Sequence, residues 1–177
     1  MADTDIITAA ELRFERLLDA PVDIVWQYIV DPELRARWFM GGGIEPRVGG
    51  RIEMVFDHDR LSDDDVAMPE RYAGNRGKRW HETITAIAPP EMIAFSWSGG
   101  EAGTVTITLA DAGNGRTRLK LHHTGLRGPA DARNFGGGWM SHLDVLEARI
   151  AGRGVPDFWT LHARSEAQAT ELLGDAG

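Results

Sequence analysis

Glu82 and His123 are the residues whose types could carry acid–base chemistry inside this chain. Alternation from Arg79 to Ala88 puts Trp80, Glu82 and Ile84 on one strand face, and alternation from Thr117 to Thr124 puts Leu119, Leu121 and His123 on one face. A buried carboxylate beside an imidazole can move a proton, burial raising the carboxyl and the neighbour opposing that rise. The same pair can equally be one satisfied hydrogen bond, and a one-residue bulge would turn either side chain outward. His142 lies one position before Leu143, off the centre of its helix stripe, and is expected at the surface or an edge.

The inward faces also carry a set of large side chains. Trp38, Phe39, Met54 and Phe56 come from the first half, and Trp80, Phe95, Trp97 and Trp139 from the second. With His123 they are the candidates for binding a ligand. They could simply fill a core, or they could line an apolar cavity of the kind that holds small molecules, with a few convergent polar groups. Buried tryptophans need a partner for the indole N–H in either case.

Other chemistries find no support. Asp57, His58, Asp59 and Asp63 to Asp65 lack the spacing of a calcium loop, and a solvated acidic loop is the expectation. His122 and His123 are strand neighbours, so their rings point to opposite faces and cannot share a metal. Gly41 to Gly43 and Gly136 to Gly138 lack the context of a phosphate-cradling loop, and no G-x-S-x-G elbow occurs. The chain has no cysteine, so thiolate chemistry, thiolate zinc and disulfides are excluded. Neither a metal nor a cofactor is expected.

The elements that must position these residues follow from periodicity. Glu11 to Leu18 alternates as a half-buried strand whose ragged end is Arg16. Asp19-Ala20-Pro21 and Asp31-Pro32-Glu33 are two helix-start signals, predicting two short helices, the second running to about Trp38. Arg51 to Phe56 reads as a strand. Asp57 to Lys78 shows no periodicity, with five aspartates, and reads as a functional or a disordered loop. Arg79 to Ala88, Met92 to Ser98, the run around Val105, Ile107 and Leu109, and Thr117 to Thr124 complete a meander, with Asn114-Gly115 as the clearest hairpin turn. Phe135, Trp139, Leu143, Leu146 and Ile150 recur at helical spacing in a long helix between Gly128 and Arg153. Gly136 to Gly138 sit inside it and predict a bend or break, or a place where a strand or a ligand approaches closely. Beyond Gly154, Phe158, Leu161, Ser165 and Leu172 form a weaker helical stripe.

The 177 residues suit one domain with its own core. A net charge of −8 argues against nucleic acid or an anionic membrane as the main partner. The first ten residues lack a signal-peptide core, and no run reaches membrane-span length, so a cytoplasmic protein is the expectation.

These words in this order resemble the SRPBCC (START/Bet v) helix-grip superfamily, and within it the bacterial stand-alone members of the activator of heat-shock protein 90 ATPase homologue-like family. The resemblance rests on Asp19-Ala20-Pro21 with Val25-Trp26, Asp31-Pro32-Glu33-Leu34 with Arg37-Trp38-Phe39, Gly49-Gly50-Arg51, and Ala88-Pro89-Pro90-Glu91 with Phe95-Ser96-Trp97. Thr117-Arg118-Leu119, His123-Thr124-Gly125, and Gly138-Trp139 with Leu143 and Leu146 extend it over residues 11 to 151. It implies an α+β helix-grip fold: a curved antiparallel sheet of about six strands around a long C-terminal helix, two short helices after strand one, and an apolar cavity between sheet and helix. It does not imply one activity, because carriers, cyclases and a co-chaperone domain share the scaffold. The acidic insert and the tail depart from the family pattern.

The expectation is a helix-grip domain over residues 1–154 with a C-terminal helical extension over 155–177. The preferred function is binding of an apolar small molecule rather than catalysis. The alternatives are a co-chaperone-like ATPase activator with a chaperone partner, or a cyclase- or hydrolase-type enzyme using the same cavity. The extension is expected either to cover the outer face of the sheet or to form a homodimer by swapping onto a second copy.

Overall fold

The computed structural model describes residues 5–175. Seven antiparallel strands form one sheet in the order β1-β2-β7-β6-β5-β4-β3. They are β1 (Ile6–Ile7), β2 (Glu11–Leu18), β3 (Arg51–Val55), β4 (Arg79–Ala88), β5 (Met92–Ser96), β6 (Thr104–Gly113) and β7 (Arg116–Thr124). Helices α1 (Val22–Val30) and α2 (Pro32–Arg35) follow β2, and α3 (Glu70–Ala73) interrupts the segment before β4. The long helix α4 (Pro129–Ile150) and the terminal α5 (Phe158–Asp175) close the chain. This is the expected α+β helix-grip arrangement with one more strand. The addition is β1, two residues too short for any alternation to show, paired as Ile6 with Arg13 and Ile7 with Leu12.

Alternation decides which face meets the helix. On β2, Leu12, Phe14, Arg16 and Leu18 are all buried. The apparent irregularity at Arg16 resolves into a bidentate ion pair with Asp5 at 2.6 and 2.9 Å, both partners almost fully covered. The β6–β7 turn places Asn114 at φ 56° and Gly115 at φ 70°, the double positive φ of the tight hairpin that Asn-Gly favours. Asp31 caps α2 through the N–H groups of Glu33 and Leu34.

Two expectations are corrected. α4 runs unbroken through Gly136 to Gly138. The glycines serve close approach: a Cβ on Gly137 would lie 2.9 Å from Glu166 Cα on α5, and one on Gly136 would lie 3.0 Å from Ile7 Cδ1. Gly138 has nothing within 4 Å. Gly138→Ala is therefore expected to stabilise the protein by about 1 kcal/mol through helix propensity. Gly137→Ala should cost roughly 1–3 kcal/mol by forcing α5 off α4. Urea midpoints of the two variants, moving in opposite directions, check this.

The second correction concerns residues 57–78, which are neither a free acidic loop nor irregular throughout. A 3₁₀ turn, His58–Leu61, buries His58 and Leu61. The next residues dock on the tail. Asp63 and Asp64 donate backbone N–H groups to the carbonyls of Val155 and Pro156 at 2.7 and 3.1 Å. The Asp63 carboxylate accepts from Val155 N–H and Arg149, and Ser62 Oγ accepts from Phe158 N–H at the start of α5. The side chains of all five aspartates in the segment are nevertheless exposed, as expected of a solvated acidic stretch. The tail packs not over the outer face of the sheet but along α4 of its own chain, with Phe158, Trp159 and Ala169 buried. Its apolar stripe is thus occupied within the chain, and residues 176–177 of the expected extension lie outside the described residues. Among the described residues, no helix is long and apolar enough to cross a membrane.

Candidate functional site

A pocket of about 330 Å³ lies where α4, α5 and the 57–78 segment meet the β3–β5 side of the sheet. Its aromatic lining is Phe39, Phe56, Trp80, Trp97, Phe135 and Trp139. Phe39 stacks on Trp139 with centroids 5.1 Å apart, and Trp97 lies 5.2 Å from Trp139. Trp80, 38% exposed, belongs to the rim. Gly138 supplies open space on the helix side, where a side chain would otherwise stand.

Five of the nine residues proposed from the sequence for ligand binding line this pocket: Phe39, Phe56, Trp80, Trp97 and Trp139. Trp38, Met54 and Phe95 are packed in the core instead, each no more than 2% exposed. Trp38 spends its indole N–H on the Tyr28 carbonyl at 2.8 Å. His123 is also inward and fully buried, but it stands outside the lining with both ring nitrogens engaged. Nε2–H donates to the Ala102 carbonyl at 2.8 Å, and Nδ1 accepts from Trp139 Nε1–H at 3.1 Å. Burial lowers its pKa, so it stays neutral.

The idea that Glu82 and His123 act together as acid and base is corrected. Both face inward, as alternation implied, but β5 and β6 lie between their strands. Three strand spacings put them roughly 14 Å or more apart along the sheet. Glu82 is 2% exposed and already accepts from Ser96 Oγ at 2.7 Å and from Gly99 N–H. Each is a satisfied structural group.

The polar side of the pocket comes from residues the sequence reading did not select. His142 is not at the surface. It is 6% exposed, because the 3₁₀ turn and α5 cover that flank of α4. Its Nδ1 faces the Trp38 carbonyl at 2.8 Å, and its Nε2 lies 3.2 Å from Nε2 of His58. His58 lies flat on Phe56 with ring centroids 3.8 Å apart. His162 on α5 bridges the Ser141 hydroxyl at 2.9 Å and the Tyr72 hydroxyl at 2.8 Å. Tyr72 in turn reaches Glu166 at 3.0 Å, which pairs with Arg71. Burial raises the Tyr72 phenol to about 12. Burial lowers His142 to about 3, and lowers His58 and His162 as well. All three imidazoles are therefore neutral near pH 7.

His58, Tyr72, Asn75 and Lys78 come from the 57–78 segment and His162 from the tail. The two stretches without strong periodicity pack on one another and build one wall of the pocket. No periodic signal could have found them, since a side chain in an irregular segment has no face until its partner is placed. Among the described residues, no group of three or more His, Cys, Asp or Glu side chains has the arrangement of a metal site.

The family model described as Activator of Hsp90 ATPase homolog 1-like protein matches residues 19–151. No curated protein matches the chain. Among solved structures, a Bordetella parapertussis protein determined by solution NMR is 36% identical, with a TM-score of 0.77 over 91% of this chain and 85% of that one. CalU16 from Micromonospora echinospora in solution is 19% identical, with a TM-score of 0.69 over 98% of this chain and 96% of that one. A conserved protein of unknown function from Enterococcus faecalis is 16% identical, with a TM-score of 0.66 over 96% of this chain and 92% of that one. The last two likenesses concern the fold alone.

Proposed function

The chain belongs to the Activator of Hsp90 ATPase homolog 1-like family, and on that footing we propose that it is a small-molecule binding protein whose ligand sits between the sheet and α4. The pocket of about 330 Å³ carries this reading. Its volume falls at the lower end of the range for small-molecule sites, and its mixture of aromatic walls and few polar groups is their usual chemistry. The family is built on a ligand-binding fold, which supports the reading without choosing the ligand.

The co-chaperone alternative draws on the family description alone, and no residue described above favours it. The enzyme alternative loses its acid–base pair to the separation of Glu82 from His123.

The test uses the tryptophans in the lining. Titration with naphthalene should quench Trp80, Trp97 and Trp139 saturably, with one site per chain. Gly138→Leu, which fills the open space over the helix, should fold normally and abolish the quenching. Native mass spectrometry of protein taken straight from expressing cells should show a bound small molecule in the wild type and none in Gly138→Leu. The absence of saturable binding, or equal binding by both proteins, overturns the reading.

A further inference from the structure

The polar atoms along the inner wall of the pocket are already committed. The Trp38 carbonyl can only accept, so His142 Nδ1–H donates to it at 2.8 Å, and His142 Nε2 accepts from His58 Nε2–H at 3.2 Å. The remaining ring nitrogen, His58 Nδ1, has no partner, but it is sealed, with almost no accessible surface. His162 spends its two nitrogens on Ser141 and Tyr72, and the Tyr72 hydroxyl also reaches Glu166. Trp139 gives its indole N–H to His123. A molecule inside the pocket therefore finds aromatic surface here and no polar atom to bond on these residues.

The mouth is different. Lys78, Ser98 and Asn134 are exposed residues of the lining, with Asn75 half-buried beside them. All four bring donors, and no carboxylate lines the pocket. Backbone pairing puts Lys78 on the pocket face. Met54 pairs with Trp80 and Val55 with Arg79, and Phe56 N–H carries the pairing one residue beyond β4 by donating to the Lys78 carbonyl at 2.9 Å. Lys78 thus stands opposite Phe56 and two residues before Trp80, and both of those line the pocket. Its basic neighbours are neutralised: Arg76 pairs with Asp59 and Arg79 with Glu53. The Lys78 ammonium meets only Asn75 Oδ1, at 2.9 Å, and among the described residues it makes no ion pair. With the histidines neutral, it is the one formal charge of the lining.

Accepting the small-molecule reading above, we propose that the ligand is an aromatic monoacid, its rings among Phe39, Trp97 and Trp139 and its anionic group at the mouth on Lys78. The buried floor, with Trp139 2% and Phe39 5% exposed, takes the part that water rejects. The wet rim leaves the acid group hydrated and supplies one opposite charge, so a single negative charge is matched and a positive one is repelled.

Four probes share one ring system and differ only in the head: naphthoate, naphthylmethanol, naphthylmethylammonium and naphthalene itself. Isothermal titration calorimetry at low salt should show naphthoate binding about fivefold tighter than the alcohol, the upper size of one partly exposed ion pair, with the ammonium weakest. On wild-type protein alone, the advantage of the acid should fade as salt is raised, while naphthalene binding does not weaken. Lys78→Met should bring naphthoate down to the alcohol and leave the alcohol unchanged. Lys78→Glu should invert the order and favour the ammonium. Both variants alter an exposed side chain with one hydrogen bond, so both should fold, and unchanged naphthalene binding reports that they do. Equal affinity for acid and alcohol, both blocked by Gly138→Leu, overturns this inference and leaves the binding function standing. An acid preference that survives Lys78→Met overturns it as well. If neither naphthalene nor its derivatives bind, the binding function itself falls, and this inference with it.

Discussion

Taking the protein from pH 7 to pH 5 should remove about 2 kcal/mol of folding stability through His142 alone, with His58 adding to the loss in the same direction. Burial drives both folded-state pKa values down, that of His142 to about 3. In the unfolded chain each imidazole titrates near 6.5. Below that value the unfolded state binds protons that the folded state refuses, so stability is full above about pH 7 and falls as the pH drops. Each such histidine contributes a slope of up to about 1.4 kcal/mol per pH unit. The fall continues until the folded pKa is reached, which for His142 is near 3. His162 and His123 are shifted the same way and steepen the loss. Among the described residues no carboxylate acts on this imidazole pair to favour its protonation: His58 faces His142, and a second charge would only repel. Urea denaturation at the two pH values measures the loss. His142→Asn, whose amide can still donate to the Trp38 carbonyl, should have a visibly shallower pH dependence. A wild-type stability that stays flat between pH 7 and pH 5 would show that these imidazoles are not desolvated.

Arg35→Met should cost about 3–5 kcal/mol, among the largest losses any single change can cause here. Arg35 is 1% exposed. Its guanidinium donates to the carbonyls of Met40 and Ile29 at 2.8 and 3.2 Å, and to those of Gly42 and Glu53 at 2.6 and 2.9 Å. One side chain thus ties the end of α1, the Gly41–Gly43 segment and β3 together. Burial lowers its pKa to about 10, so it still carries its charge at neutral pH. Methionine would fill similar space and take the donor from four carbonyls, two in buried and two in partly buried bonds. Arg35→Lys should recover only a minor part, because an ammonium has three donors and no planar fork. Denaturant midpoints of the three proteins at pH 7.5 check the order. A methionine variant within 1 kcal/mol of the wild type would mean that water replaces the guanidinium.

The core face of the sheet was legible because alternation has a fixed period of two. Leu12, Phe14 and Leu18, or Val105, Ile107 and Leu109, announce their side before any partner is known, and all are buried. The long helix was legible for the same kind of reason, and Asn114-Gly115 because positive φ restricts the residue types that can occupy it. Five of the nine lining candidates sit on or beside such elements. The four that missed, Trp38, Met54, Phe95 and His123, face the right way but lie too deep. Depth along a face depends on what stacks above it, and alternation holds no information about that.

The polar half of the site was not legible at all. His58 and Tyr72 belong to a segment with no period, and His162 to a weak stripe. They become neighbours only because Asp63, Ser62 and Tyr72 find Val155, Phe158 and His162 nearly a hundred residues later. His142 was read as an edge residue because its own helix gave it no neighbour; α5 and the 3₁₀ turn bury it.

By itself, then, the sequence determined the class of fold, the inward faces, the long helix and the family, since each depends on local periodicity, turn stereochemistry or words kept in order. Tertiary structure alone decided which inward residues border open space, what the glycines of α4 make room for, and how a backbone carbonyl fixes the protons on two histidines. Those are outcomes of contacts between distant segments, and a contact energy has no value until both partners have been placed.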